Sequence, residues 1–264
     1  MVSEQSEKLK QLLGGNYFDN PKPINMISDF LKWFLTNDDI VLDFFSGSAT
    51  TAHAVIQLNA EDGGNRKFIM VQLPEETDEN SEAYKSGYKN ICEIGKERIR
   101  RAGKKIEEEL QSKSDKGGLF AEQEDVITVD TGFRVLKLDS TNMKDVYYSA
   151  GDYSQQMLLD LESNIKEDRT VLDLLFGVML DWGVPLSLPH ITEIIGGKQV
   201  HFVNDTDLVA CFDENINEAV VREIAKRKPL RVVFRDSSFG SSPEKINVSE
   251  IFKTISPDTT IKVI

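Results

Sequence analysis

A strand, turn and helix pattern near the start of the chain constrains the fold more than any other feature. Residues 40–45 form a short apolar run rich in β-branched and aromatic side chains, which predicts a buried strand of a parallel sheet. Residues 46–48 form a tight turn of small residues, and the apolar spacing of residues 50–58 predicts a helix with Ser48 or Thr50 as its cap. This order is typical of a ligand-binding loop at the carboxyl end of a strand.

The composition of the turn indicates the class of ligand. A dinucleotide loop needs three glycines, whereas this turn has Gly47 alone and Ala52 where the third glycine would fall. The missing glycines disfavour a dinucleotide oxidoreductase. Asp43, at the end of the strand, suits a ligand that carries a cationic amine, and S-adenosylmethionine has an α-amino acid head and no phosphate. An ordinary strand, turn and helix without a ligand would show the same spacing.

Composition excludes several classes of protein. A chain of 264 residues, 40% hydrophobic and 28% charged, is typical of one or two globular domains. No apolar run approaches the roughly 20 residues of a membrane span, and residues 1–8 lack the basic-then-apolar pattern of a signal peptide. Two cysteines are too few for a disulfide framework, so we expect a cytoplasmic protein. The net charge of −13 argues against nucleic-acid binding over the whole surface but not against a local basic patch.

Polar motifs flank the central pattern on both sides. The segment Asn20-Pro21-Lys22-Pro23 is either an entry loop to a helix at residues 24–35 or a lysine and helix N-terminus that hold a carboxylate. A second strand is predicted at residues 67–73. At its end, Gln72 and Glu75 are the candidates for contacting ribose hydroxyls, with Glu75 more readily explained as a surface residue.

A long helix with a basic run is predicted at residues 92–110. One interpretation is a solvated helix face paired with neighbouring glutamates, and the other is a face that contacts phosphates. The basic residues are Lys96, Arg98, Arg100, Arg101, Lys104 and Lys105.

A polar, glycine-ended linker at residues 111–118 marks the predicted domain boundary, with domains at 1–112 and 119–264. The second domain should be α/β. Arg235 to Ser238 follow a strand and form either a site or a turn that Asp236 caps. His190 and His201 have no acid or cysteine at metal spacing, so no metal site is expected. The other predicted elements are a hairpin at 125–138, helices at 155–165, 170–182, 216–227 and 246–255, and strands at 199–203, 208–212, 230–234 and 260–264.

Together these motifs resemble the modification (Mod) subunits of type III restriction-modification systems, which methylate adenine N6 in DNA with S-adenosylmethionine. The resemblance covers essentially the whole chain and departs from the family at Ala49, where glycine is usual. It is carried by residues 18–23, 42–55, 62–75, 133–139 and 235–239.

The resemblance implies a partial Rossmann-like methyltransferase domain followed by a smaller α/β C-terminal domain. It implies DNA as a partner of the full-length protein, together with Mod and restriction subunits. It assigns S-adenosylmethionine binding to Asn20, Pro21, Lys22, Pro23, Asp43, Phe45, Ser46, Gly47, Ser48, Thr50, Thr51 and Gln72.

One family motif is missing from this chain. Amino-methyltransferases that act on flipped-out bases use an Asp/Asn-Pro-Pro-Tyr/Phe loop, and no two prolines are adjacent here. In the family that loop precedes the Asn-Pro-Lys-Pro motif. We therefore expect the C-terminal portion of such an enzyme, a truncated gene product or an expressed fragment, with no catalytic residues and no activity alone. The alternative is a non-catalytic module that assembles with a Mod or restriction subunit.

The missing loop has a consequence for the sheet. Its strand would lie beside the strand at residues 40–45, which without it becomes an exposed apolar edge. We expect self-association or a displaced segment to cover that edge.

Overall fold

The structure, a computed structural model, describes residues 4–116, 128–144, 164–240 and 242–264. The chain divides into two compact units, residues 1–134 and 135–264. Both contain helices and strands, so the predicted mixed α/β class is confirmed. The helix α5 continues through Lys116, beyond the predicted end of the first domain, and residues 117–127 of the predicted linker and hairpin lie outside the described residues.

The first unit is built on one parallel strand pair. Ile40 lies opposite Lys67, and Asp43 lies opposite Met70. The intervening helix connects the two strands as the sequence predicts. The elements are α1 (Glu4–Leu13), α2 (Ile24–Phe34), β1 (Ile40–Asp43), α3 (Thr50–Asp62), β2 (Lys67–Met70), α4 (Glu82–Lys85) and α5 (Ile91–Lys116).

Helix α3 is the centre of the first unit. It packs against α2, α5 and β2, so it is apolar almost all round rather than along one stripe. Ala54 and Val55 are buried against Leu31 of α2, and Ile56 is buried against Ile99 of α5. The loop that precedes α3 is therefore attached to a helix that is buried on several sides.

The prediction of a fully buried β1 is wrong. Ile40 is 60% exposed and Leu42 is 50% exposed, while Val41 is half-buried against α2 and α3. The physical reason is that within the described segments β1 has a strand neighbour on one side only, and helices cover only one face of the pair. This arrangement agrees with the expected exposed apolar edge.

Helix α2 is also less covered than its pattern predicts. Ile24, Ile27 and Leu31 face the core, but Phe30 and Phe34, which the helical spacing places on the same apolar face, are exposed. Phe30 lies 6.0 Å from both Trp33 and Phe34, measured between ring centroids. We refer to these three rings as the α2 aromatic cluster.

The second unit is a five-stranded sheet of order β3-β4-β5-β6-β7. Strands β3 to β5 are antiparallel, and β5 to β7 are parallel. Helices α7 and α8 bury one core on the sheet, and α6 buries a second one. The elements are α6 (Val171–Asp181), β3 (His190–Ile195), β4 (Lys198–Val203), β5 (Leu208–Cys211), α7 (Glu218–Lys226), β6 (Arg231–Phe234), α8 (Ser242–Ile255) and β7 (Thr260–Val263).

Most sequence predictions for this unit are confirmed, with two exceptions. Strand β3 was missed, although Gly196 and Gly197, both with positive φ, join it to β4 in a tight hairpin. Residues 133–138 of the predicted hairpin form no strand. The predicted helix at 155–165 lies almost wholly outside the described residues. Across the part of the chain that is described, no helix has the length and apolarity to span a bilayer.

Candidate cofactor site

Asp43 ties the end of β1 to the first turn of α3. Its Oδ2 accepts a hydrogen bond of 2.6 Å from Thr51 Oγ1, and its Oδ1 accepts one of 3.2 Å from the Phe45 amide. The β1–α3 loop (residues 44–49) is therefore closed around this carboxylate. A carboxylate has about four acceptor positions, so these two bonds leave acceptor capacity for a ligand.

Gln72, just beyond β2, holds the same loop from the neighbouring strand. Its Oε1 accepts from the Gly47 amide at 2.8 Å. The Sγ of Cys92, in the first turn of α5, donates to the Gln72 carbonyl at 3.4 Å. Gln72 thus lies at the loop, as predicted, but its side-chain oxygen is already bonded to the Gly47 backbone amide. A ribose contact through this side chain stays a prediction, and Glu75 is exposed.

The start of α3 lacks the predicted side-chain cap. The N-cap is Ala49, with φ 59 in the left-handed region, and no side chain bonds the first-turn amides. The capping prediction for Ser48 and Thr50 is wrong because Ala49, between them, occupies the N-cap position. Both hydroxyls instead accept hydrogen bonds from Arg98 Nη1, at 2.8 and 2.7 Å. The first-turn N–H groups of a helix carry partial positive charge and are open to an anion when uncapped.

The Asn-Pro-Lys-Pro segment reaches the loop through the residue two positions before it. Gly47 has φ 51, and a Cβ placed there would lie 3.2 Å from Phe18 Cζ. Glycine at 47 therefore meets two requirements, a left-handed backbone and a close aromatic neighbour. Pro21 is buried, whereas Lys22 is exposed and Pro23 precedes α2 without a side-chain cap.

The predicted site residues do not all converge on one point. Asp43, Gly47, Ser48, Thr50, Thr51 and Gln72 are linked by the hydrogen bonds above, and the backbone amide of Ser46 donates to the Val71 carbonyl at 3.2 Å. Phe45 points away from the core and is 82% exposed. Asn20 has φ 53 and an exposed side chain. Cofactor contacts of Phe45, Asn20 and Lys22 stay predictions.

Sequence analysis missed Gly95 at this site and did not predict that Arg98 is buried. A Cβ at Gly95 of α5 would lie 3.3 Å from the Gly47 carbonyl oxygen and 3.5 Å from the Ala49 Cβ. Arg98, one turn further along α5, is 2% exposed. The available signal was a glycine inside a long helix, which costs about 1 kcal/mol relative to alanine unless packing requires it.

The other five residues of the basic run predicted at residues 92–110 are partly or fully exposed. Each pairs with a glutamate on the same helix, the arrangement that the solvated-face interpretation predicts. Arg101 also donates to the carbonyls of Leu12 and Leu13 at the end of α1. The pairs are Lys96–Glu93, Arg100–Glu97, Arg101–Glu97, Lys104–Glu108 and Lys105–Glu109.

His53, one turn into α3, lies in a buried environment that disfavours a charged imidazole. Burial, with the nearby charges of Arg98 and Lys105 as smaller causes, lowers the pKa of its imidazole to about 3. Its Nδ1 is buried without a hydrogen-bond partner in the described segments. The ring is therefore neutral at physiological pH.

The second unit provides weaker candidates for a functional site. Asp236 is not the cap predicted for the turn after β6: its Oδ1 accepts from Lys245 Nζ at 2.6 Å, and Arg235 is the N-cap of a short 3₁₀-helix at Asp236–Ser238. A cavity of about 240 Å³ next to Arg235 is lined by Arg169, whose guanidinium is bonded to Asp139, Asp168 and Ser140. No group of three or more potential metal ligands occurs in the described ranges.

Comparisons with known proteins find similarity in the region that contains the β1–α3 loop. A sequence model of the DNA methylase family matches residues 2–104, the part that contains the β1–α3 loop. The chain is 46% identical over 103 residues to the type III restriction-modification enzyme StyLTI Mod subunit of Salmonella typhimurium (strain LT2), covering 39% of this chain and 16% of that protein. It is 46% identical over 104 residues to the EcoPI Mod subunit of Escherichia phage P1, with the same coverage of 39% and 16%.

A third relative extends the similarity into the second unit. The EcoP15I Mod subunit of Escherichia coli is 30% identical over 257 residues, which is 93% of this chain and 35% of the relative. The chain thus spans about a third or less of the length of these curated relatives. Residues 2–104 are thus similar to the DNA methylase family, and the chain is homologous to the Mod subunits of type III restriction-modification enzymes.

Proposed function

We propose that this chain carries the S-adenosylmethionine-binding part of a DNA adenine-N6 methyltransferase of type III restriction-modification systems, within a Rossmann-like domain. The observation that carries the proposal is the convergence of Asp43, Gly47 and Gln72 at the carboxyl ends of two parallel strands. Ligands of open α/β sheets bind at such strand ends. The bound cofactor would supply a methyl group on a sulfonium centre.

The charges at the loop suit the amino-acid head of this cofactor. The Asp43 carboxylate provides a partner for the ammonium group. The uncapped amides at the start of α3 provide donors for the carboxylate. The turn has one glycine and no lysine, so it lacks the cradle that a pyrophosphate needs.

The same reasoning limits the activity of the chain by itself. No Pro-Pro pair is present to form the base-binding loop, so we propose that the chain alone does not methylate DNA. Contacts with DNA, with other Mod chains and with restriction subunits would belong to a fuller assembly in the cytoplasm.

Calorimetric titration of the full chain with S-adenosylmethionine tests the cofactor site. We expect a Kd in the range of about 1–100 μM, or about 5–8 kcal/mol of binding free energy. Asp43→Asn keeps the size of the side chain and one of its two acceptor oxygens but removes the charge, and should weaken binding about tenfold. The matched control is Asp39→Asn, at the other end of β1, where the carboxylate accepts from the Thr36 amide at 2.7 Å.

Two results would contradict the proposal. If the cofactor gave neither heat of binding nor a change in melting temperature, the proposed cofactor site would be contradicted. Methylation of duplex DNA by the purified chain, measured by transfer of a labelled methyl group, would contradict the proposal that the chain alone is inactive.

A second candidate function, assembly with another subunit or a second copy, is favoured by the exposed apolar surface of the first unit. Trp33 and Phe34 are each 74% exposed, and Leu42 and Ile69 lie on the uncovered face of the strand pair. Since an aromatic side chain has about 150–250 Å² to bury, the α2 aromatic cluster leaves roughly 300–500 Å² uncovered. That area equals the largest apolar patch of an ordinary monomer, about 300–600 Å².

Light scattering after size exclusion tests self-association. We expect a concentration-dependent mass above that of the monomer. Leu42→Lys should lower the mass if the sheet associates, and Trp33→Lys if the α2 aromatic cluster does. Leu180→Lys, at an exposed position of the second unit, is the matched control. A monomer at every concentration would exclude self-association.

A further inference from the structure

Arg98 is a buried cation to which the described part of the chain supplies no carboxylate partner. Its Nη1 donates to Ser48 Oγ, to Thr50 Oγ1 and, at 3.3 Å, to the Ser48 carbonyl. Its Nε is buried without a hydrogen-bond partner in the described segments. Burial lowers the pKa of this guanidinium to about 10, so it remains charged at neutral pH. A buried charge without a counter-charge is costly and calls for a stated reason.

The hydrogen bonds of Arg98 determine which way two hydroxyl groups donate. A hydroxyl has one proton and two acceptor positions. Because Ser48 Oγ and Thr50 Oγ1 both accept from Arg98, neither proton is used in these bonds, and both can be donated to a ligand. Both residues are themselves buried, so few water molecules compete for these protons.

The charge of Arg98 adds to that of the helix start. Thr50 is the first residue of α3, and the helix has no side-chain cap. A guanidinium behind an uncapped helix N-terminus places two positive potentials on the same point. Gly95 allows this approach, because its missing side chain lets α5 contact the Gly47 carbonyl. Gly95 and Arg98 lie three residues apart, on one face of the helix.

We propose that Arg98 is the positioning residue for the carboxylate of the cofactor's amino-acid head. It holds the hydroxyls of Ser48 and Thr50 as donors and supplies the positive charge that this carboxylate balances. Asp43, on the other side of the loop, balances the ammonium group. This inference rests on the proposed function, since it assigns a role within the same cofactor site.

The test compares two ligands that differ only in the carboxylate. S-adenosylhomocysteine has both the ammonium and the carboxylate, and 5′-(3-aminopropyl)thioadenosine has the ammonium alone. Calorimetry on the wild-type chain should show that loss of the carboxylate weakens binding about tenfold or more. In Arg98→Met, loss of the ligand carboxylate should weaken binding about threefold or less, because the variant no longer prefers the carboxylate. Arg98→Lys, which keeps the charge, should restore part of the preference.

Arg100→Met is the matched control, since Arg100 lies on the same helix with an exposed side chain paired to Glu97. It should retain the wild-type preference. An Arg98→Met chain that weakens both ligands equally would show a merely structural role, and one that binds both as the wild type does would show no role. Either result overturns the inference and leaves the proposed function standing. If the wild type binds neither ligand, the proposed function fails and the inference fails with it. If circular dichroism shows that Arg98→Met does not fold, Arg98→Lys decides through the ratio of its Kd values for the two ligands. A ratio equal to that of the wild type overturns the inference.

Discussion

Acidification should destabilise the first unit through His53. Burial is the chief cause that lowers the pKa of its imidazole from the ordinary value of 6.5 to about 3 in the folded chain. The unfolded chain therefore binds a proton first as the pH falls. Stability from this residue is complete above about pH 6.5 and is lost progressively between about pH 6.5 and 3.

The size of the effect follows from the two pKa values. At pH 5 the unfolded imidazole is almost fully protonated and the folded one is neutral. The difference amounts to about 2 kcal/mol of unfolding free energy relative to pH 7.5. Such a loss is large against the roughly 5–15 kcal/mol that stabilises an ordinary domain.

Urea unfolding of the full chain at about pH 7.5 and about pH 5 measures the loss. The comparison is with His53→Met, which fills the site and does not titrate. Carboxylates such as Asp62, whose pKa is lowered by the Arg66 guanidinium, also lose stability in acid, but they do so in both chains. The wild type should therefore lose about 2 kcal/mol more than the variant. Equal losses in the two chains would refute the reasoning and would imply a protonated or solvated imidazole in the folded state.

Two further predictions concern the backbone around α3. Ala49→Gly should change stability by less than about 1 kcal/mol, because relief of the left-handed conformation offsets the lost methyl contact and the added chain entropy. Ala52→Gly, inside the same helix, has no strain to relieve and should cost about 2 kcal/mol; equal costs in denaturant unfolding would contradict the strain at position 49. Asn59→Ala should cost about 2 kcal/mol, since the Asn59 amide accepts from the Arg66 amide at 3.1 Å and donates to the Arg66 carbonyl at 2.9 Å, both buried. The surface variant Gln57→Ala should cost less than about 0.5 kcal/mol in the same assay, and an Asn59→Ala chain as stable as that control would show that water replaces the amide.

The sequence by itself determined the local elements of this protein. The apolar run of β1, the small residues of the turn and the helical spacing of α3 are short-range patterns, and each element formed where its pattern predicts. The proximity of Asp43, Gly47 and Gln72 follows for the same reason, because the ends of parallel strands and the first residues of the next helix lie side by side in any such unit. The resemblance to Mod subunits rested on the same local motifs and is confirmed by the comparisons.

The tertiary structure alone decided how these elements are covered and what lies behind the loop. The exposure of Ile40 and Phe30 depends on which neighbours a strand edge or a helix face has, and the periodicity of a segment carries no information about that. Arg98 lies 48 positions from Thr50 in sequence, and the basic run around it gave the same signal for a solvated side chain as for a buried one. Only the packing of α5 on the loop, which Gly95 allows, separates this arginine from its neighbours, because a contact between distant residues is fixed by the fold and not by local preference.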